Sequence, residues 1–181
     1  MIPKMFQPIE HDGFVLFFGA EHPLSQWHAC KFTVNGVTFS STEQFMMFAK
    51  AMHFGDTEAA DKIMATDDPG EQKRLGRQVK NFVKEVWDLV DFYYVFRGNL
   101  AKFTQNNELQ RYLLGTKGKH LVEASPYDRK WGVGLNANDP DITDPTKWKG
   151  ENRLGNVQMQ VRDVLQAAAD MRKLQYAPPN P

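Results

Sequence analysis

The chain has 181 residues, enough for one domain with a real core, and its 22 Lys and Arg balance its 22 Asp and Glu, so no net field draws in nucleic acid or an anionic membrane. A single cysteine, Cys30, excludes an internal disulfide, and His11, His22, His28, His53 and His120 lack zinc-like spacing, which predicts a reducing compartment and no metal or cofactor. With no charged segment leading into an apolar run and no long uncharged apolar stretch, the expectation is a cytoplasmic protein with a small-molecule ligand and no membrane span.

Residues 14–18 form a short apolar run closed by Gly19, the length and flanks of a buried strand. Residues 20–30 mix Pro23, Ser25, Gln26 and Trp27 without a period and read as a loop over a pocket, with Gly19 and Ser25 as ligand contacts. Residues 31–34 and 37–40 alternate around Asn35 and Gly36, a pair suited to the positive dihedrals of a tight hairpin turn. The next residues offer a helix N-cap in two registers, Ser40 with Glu43 or Ser41 with Gln44. The helix runs on to Met52, apolar nearly all round and expected to be buried, with Glu43 and Lys50 as exceptions. Seven residues apart, these two fall within about 20° of one face and roughly 10 Å apart along the axis. Burying either unpaired is expensive, so the pair suits a polar pocket wall; a Glu43 that only closes the cap and a Lys50 that only reaches solvent is the plainer alternative.

Residues 57–65 read as a short helix after Asp56, and Asp68, Pro69, Gly70 and Glu71 open another. It leads to Arg77, beside Gly76, where an anion can approach; an ordinary surface arginine is the alternative. Residues 84–105 are the longest periodic stretch and the predicted central helix, with Val86, Val90, Tyr93, Tyr94, Leu100, Ala101 and Phe103 as its apolar face and Gly98 as a weak point. Trp87 falls just off that face, as core or as pocket wall. Residues 108–114 make a helix stopped by Gly115, and residues 121–124 a strand.

That strand delivers residues 123–134, which gather two carboxylates (Glu123, Asp128), two cations (Arg129, Lys130), two aromatics (Tyr127, Trp131) and two glycines around Pro126. Neither a buried strand nor a solvated helix has this mixture; a rigid polar loop forming a site is one reading, a surface turn whose Trp131 folds back onto the core the other. Residues 136–150, with Trp148, suit an irregular flap. The last helix, 152–174, has Leu154, Val157, Val161, Val164, Leu165 and Ala168 as its core stripe, and Asn152 and Arg153 at its start are placed to offer side chains and free amides to an anion. One domain over 1–176 and a flexible Pro-rich tail over 177–181 complete the organisation.

Residues 41–50, Lys102 with Phe103, 121–134 and 150–162 together resemble the NADAR family, also called YbiA-like. The most specific parts are Ser41-x-Glu43-x-Phe45 opening a helix that ends in Ala49-Lys50; Glu123 with Asp128, Trp131, Gly132 and Gly134; and Asn152-Arg153-Leu154-Gly155 leading to Met159 and Arg162, within a likeness over roughly residues 14–165. The resemblance implies an α+β fold, a single mainly helical domain with a small antiparallel sheet or hairpin. It implies hydrolysis of N-ribosidic bonds: phosphorylated ribosylamino-pyrimidine intermediates of riboflavin biosynthesis, releasing ribose 5-phosphate, in some members, and ADP-ribose on guanine bases in others. Nucleic acid then enters only as an ADP-ribosylated substrate. Glu43, Trp87, Asp128 and Trp131 match residues the family is thought to use in its active site, and Lys50 matches a lysine proposed to attack the sugar carbon. Gln44 stands where the family usually has His, and Gln26 where it usually has Asn; both departures are expected to bear on substrate choice.

Breaking a ribose–nitrogen bond builds positive charge on the sugar and negative charge on the base, which calls for a carboxylate near the anomeric carbon and a donor near the base. Glu43 is expected as acid or base and Asp128 on the ribose hydroxyls or leaving group. Trp87 and Trp131 would stack the base, and Arg77, Arg129, Lys130 or Arg153 would hold phosphate. Glu123 reads as a structural strand end. A non-catalytic module binding ADP-ribose or a related nucleotide would use the same aromatics and cations.

Overall fold

A computed structural model describes residues 9–11 and 13–175; the predicted tail lies outside the described residues. The chain runs through β1 (Ile9–His11), β2 (Phe14–Phe17), β3 (Phe32–Val34), β4 (Val37–Phe39), α1 (Thr42–His53), α2 (Thr57–Met64), α3 (Pro69–Gly76), α4 (Lys84–Gln105), α5 (Asn107–Gly115), β5 (His120–Glu123), a 3-10 turn (Pro145–Lys147) and α6 (Arg153–Gln175). The fold is α+β and mainly helical, as expected.

The antiparallel hairpin is β3–β4, turned by Asn35 at φ 51° and Gly36 at φ 78°. A second sheet has the order β1-β2-β5 and is mixed: β1 and β2 are antiparallel, whereas β2 and β5 lie parallel because all the intervening helices serve as their crossover. The register pairs Val15 with Leu121, Leu16 with Val122 and Phe17 with Glu123. Alternation along the strands then sends Val15, Phe17 and Leu121 into the helical core and Leu16 and Val122 to the other face.

Helix α1 starts in the Ser41 register. Ser41 Oγ accepts from Gln44 N at 3.0 Å, and Gln44 Oε1 reaches back to Ser40 N at 2.8 Å, so Glu43 takes no part in the cap. The buried side of α4 is rotated from the expected one. Trp87, Asp91, Val95, Gly98, Asn99, Lys102 and Phe103 face inward, while Val86 and Tyr93 are exposed. Counting apolar residues misplaces this face because several inward positions are polar and hydrogen-bonded. Gly98 is a contact rather than a weak point: a Cβ there would lie 2.6 Å from Cδ1 of the Phe45 ring.

Two expectations in the C-terminal third also change. Residues 136–150 are no flap: Ile142 and Trp148 pack with Val133 and Leu135 onto the outer face of the sheet, with Trp148 Nε1 donating to Ile142 O at 2.9 Å. On α6, Val164 is exposed, whereas Gln158 and Arg162 are buried beside Leu154, Val157, Val161 and Leu165. Arg162 Nη1 donates to the carbonyls of Thr116 and Lys119 at 2.7 and 2.8 Å, which makes an arginine fit a core stripe. Among the described residues no helix is long and apolar enough to cross a membrane.

Candidate active site

A cleft of about 820 Å³ opens at the carboxyl ends of the parallel strands β2 and β5. Phe18, Gly19 and Ala20 follow β2 into its wall, Glu123 ends β5 there, and Ser125 and residues 127–131 follow β5. Opposite them stand Glu43, Met46, Met47 and Lys50 of α1 and Lys73, Gly76 and Arg77 at the end of α3. The volume suits a nucleotide-sized ligand.

Glu43 is nearly buried, and its carboxylate accepts from the Trp27 side chain. Burial pushes its pKa up to about 7; Lys73, the Trp27 hydrogen bond and Arg77 oppose the rise, and Asp128 adds to it. Lys50 shares the cleft, as the helical spacing of seven predicts. Its Nζ donates to Gly76 O at 2.8 Å and lies 3.9 Å from the Phe82 ring centroid, and burial followed by Arg77 lowers its pKa.

Asp128 is fixed by the turn it caps, its Oδ1 accepting from Lys130 N at 2.9 Å and Trp131 N at 2.8 Å. Trp131 lines the cleft with the Arg153 guanidinium 5.0 Å from its ring centroid. Trp87 is both core and wall: 5 % exposed, stacked on Tyr94 at 5.5 Å and 15°, yet facing the cleft. Ser25 and Gln26 line it as well, held from behind. Lys102 Nζ donates to Ser25 O at 2.9 Å, Asn99 Nδ2 to Gln26 Oε1 at 2.9 Å, and Gln158 Nε2 to Leu24 O at 2.8 Å and Asn99 Oδ1 at 2.9 Å.

Several predicted ligand contacts have other work. Gln44 does not line the cleft; its Nε2 donates to Ile63 O and Thr66 O at 3.2 and 2.9 Å, joining α1 to the end of α2 and the loop after it. Asn152, buried at φ 52°, accepts from Glu123 N at 3.0 Å and donates to Leu121 O at 2.8 Å, pinning β5. Arg153 is spent on Asp91, with Nη2 2.5 Å from Oδ1. Nor are the first amides of α6 open to an anion: those of Asn152, Arg153 and Leu154 donate to the carbonyls of Gly132, Lys130 and Trp131. Lys130 lines the cleft but is paired with Asp88 and, at 2.5 Å, with Asp91. Arg77 and Arg129 reach the cleft from exposed positions.

Several lining residues stand outside the predicted set, and three of them, Lys73, Trp27 and Glu123, bear on the chemistry. Lys73 stands four residues before Arg77, on the same side of α3, a spacing that could have flagged it. Trp27 was placed only in the loop. Glu123, read as a strand end, lies in the cleft; burial lifts its pKa to about 8, Asp128 and Glu43 adding to this and Lys73 opposing it. Its place two residues beyond core-facing Leu121, on the same face of the strand, was the available signal. No group of three or more His, Cys, Asp or Glu among the described residues is arranged to hold a metal ion.

A helical crossover on a small mixed sheet, with acid side chains converging where two parallel strands end, defines a one-domain α+β scaffold built around a nucleotide-sized cleft. The chain belongs to the NADAR family, whose domain model matches residues 16–166. It is 42% identical over 169 residues to the N-glycosidase R617 of Acanthamoeba polyphaga mimivirus, covering 87% of this chain and 99% of that one. The N-glycosidase YbiA of Escherichia coli strain K12 is 28% identical over 170 residues, 91% of this chain and 98% of that one. The NMR structure of the E. coli protein YbiA matches with a TM-score of 0.72 at 25% identity, over 99% of this chain and 97% of that one. The riboflavin biosynthesis protein VVA0006 of Vibrio vulnificus strain YJ016 is 27% identical over 171 residues, 94% of this chain and 40% of that one.

Proposed function

We propose that this protein hydrolyses the N-ribosidic bond of phosphorylated ribosylamino-pyrimidines in the cytoplasm, releasing ribose 5-phosphate. It is a hydrolase of N-glycosyl bonds. The observation that carries the reading is a carboxyl near neutrality, Glu43 at about 7, facing the turn-fixed Asp128 across a cleft walled by Trp87 and Trp131. The names of the relatives support the reaction class, and that of the Vibrio protein, of which the match covers 40%, supports a link to riboflavin biosynthesis.

Glu43, partly ionised at pH 7, takes a proton from water attacking the anomeric carbon. Asp128, held by two amides, meets the ribose hydroxyls and the positive charge developing on the ring. The indoles of Trp87 and Trp131 give the base a flat apolar seat, and Lys73, Arg77 and Arg129 take the phosphate, Lys130 and Arg153 being paired. The departing base still needs a proton.

The test is to incubate the protein with ribosylamino-pyrimidine phosphates, NAD, ADP-ribose and ADP-ribosylated guanosine and to look for free base. Free pyrimidine with ribose 5-phosphate is expected from the first. Guanine release from the last alone would reassign the substrate, and binding without any release would make the protein a nucleotide-binding module.

A further inference from the structure

We propose that Glu123 is the catalytic proton donor to the leaving base, set by the end of β5 inside the cleft with its Oε2 buried and offered no hydrogen bond by the protein. The inference rests on the N-glycosidase reading and assigns the one role that reading leaves empty.

Placement comes first. The backbone of Glu123 is fixed on every side: its N donates to Asn152 Oδ1 at 3.0 Å, and its O accepts from Ser125 N at 2.9 Å and Val133 N at 3.0 Å. The next amide, Ala124 N, donates to Phe17 O at 2.9 Å. Gly132 seals the loop behind it, since a Cβ there would lie 3.0 Å from Glu123 O and 2.8 Å from Asp128 O. So constrained a strand end fixes the direction in which the Glu123 side chain leaves the backbone, towards the cleft it lines.

Among the described residues Glu123 Oε2 is one of few buried side-chain oxygens without a hydrogen-bond partner. A carboxylate there would bear a desolvation penalty at that oxygen, whereas a carboxylic acid protonated there lacks only an acceptor. A base nitrogen in the cleft is such an acceptor. The charged groups around it favour the acid form: Glu43 of α1 and Asp128 of its own loop repel a negative charge, and Lys73 of α3 is the opposing cation. Lys50, Arg77, Arg129 and Lys130 line the cleft further round. The resulting pKa, about 8, stands above that of Glu43, about 7, so at neutral pH the first is mostly acid and the second about half base.

The step balances. As the bond from C1′ to nitrogen breaks, its electron pair goes to the nitrogen, which takes the proton of Glu123. Water adds its oxygen to C1′ and gives a proton to Glu43. One water is consumed, ribose phosphate and free base are formed, and the proton on Glu43 returns to Glu123 through solvent.

Two measurements on the full chain test the assignment. Carbon-13 NMR of labelled glutamate carboxyls, with Glu123 assigned by its absence in Glu123→Gln, should show this group titrating near pH 8 without substrate; titration below about 6 would overturn the proposal. In turnover of a ribosylamino-pyrimidine phosphate, Glu123→Gln should lower kcat by roughly 10²- to 10⁴-fold and abolish the alkaline limb of the kcat/KM profile, with the melting transition retained. Unchanged activity, or an alkaline limb that survives, would equally overturn it. Should Glu123→Gln fail to fold, Glu123→Asp serves, with the alkaline limb expected to move with the new carboxyl. If the wild type cleaves no N-riboside, proton delivery falls with the functional reading, and a titration near pH 8 then identifies the reading rather than the protonation state as the failure.

Discussion

At the scale of single residues, Glu43 and Asp128 sit in one cleft for different reasons, and their replacement should separate the two. Glu43→Gln removes the proposed base, Asp128→Asn weakens the charge proposed to face the sugar, and each should lose most activity while remaining folded. Full activity of both in the free-base assay would end the scheme. The buried carboxyls also carry a stability signature. Their folded-state pKa values, about 7 and about 8, lie above the ordinary 4.5, so the folded chain holds more protons than the unfolded one within those windows. Stability therefore falls as pH rises from about 4.5 through the folded values. Glu43→Gln and Glu123→Gln should each raise stability at pH 8, by on the order of 1–3 kcal/mol, with the gain vanishing near pH 4. Thermal melts at the two pH values check it; equal gains at both would contradict the burial argument. Lys50 offers a chemical alternative, because its depressed pKa is the direction a nucleophilic amine needs. Borohydride added during turnover should leave a stable lysine adduct if the sugar passes through a Schiff base, and none if water attacks directly.

At the scale of elements, the loop bearing Ser25, Gln26 and Trp27 is positioned by polar groups projecting from α4 and α6. Lys102, fully buried, is the central one; burial lowers its pKa to about 8, with Cys30 opposing. Below that value the buried charge weighs against the fold, and the penalty is relieved as pH climbs towards 10.5. Lys102→Met should thus keep stability near neutrality while Ser25 O loses its donor. The loosened loop should carry Trp27 away from Glu43, lowering kcat/KM roughly 10- to 100-fold and moving the acid limb upward, since the Trp27 bond holds that pKa down. An unmoved acid limb would mean that the loop stands without Lys102. These polar joints also explain what the sequence revealed. The Asn35-Gly36 hairpin, the α1 cap and the extent of α4 were legible because turn chemistry and helical period are local. The inward face of α4 was not, because Asp91, Asn99 and Lys102 look like solvent-facing residues until their partners on distant elements are known. The anion site expected at the start of α6 failed for a related reason, its amides being taken by a loop twenty residues upstream. Of the candidate site, the cleft positions of Glu43, Lys50, Asp128 and both tryptophans could be read from local patterns and resemblance, whereas Glu123 offered only the face it shares with Leu121, and that this face meets the cleft depends on the parallel pairing of β2 with β5.

At the scale of the molecule, the cleft is assembled from segments far apart in sequence, and Asp91 ties three of them together. Wholly buried on α4, it pairs with Lys130 of the loop that carries Asp128 and Trp131, and with Arg153 at the head of α6, each at 2.5 Å. Arg153 in turn rests over the Trp131 ring. Removing the acid leaves two cations half sheltered from water, one of them still paired with Asp88, so the loss should lie at or just below the lower end of the range of about 3–5 kcal/mol for a broken buried pair, about 2–3 kcal/mol. Asp91→Asn should therefore lower the melting temperature and, by freeing Trp131, raise KM more than it lowers kcat, because the acid and base groups keep their own supports. Adding Lys130→Met and Arg153→Met to Asp91→Leu removes the stranded charges and should restore much of the stability, yet not the KM, since Trp131 still lacks its guanidinium platform. A triple variant that regains stability and affinity together would show that hydrophobic packing alone positions the indole; stability without affinity would show that the ion network is kept for the cleft.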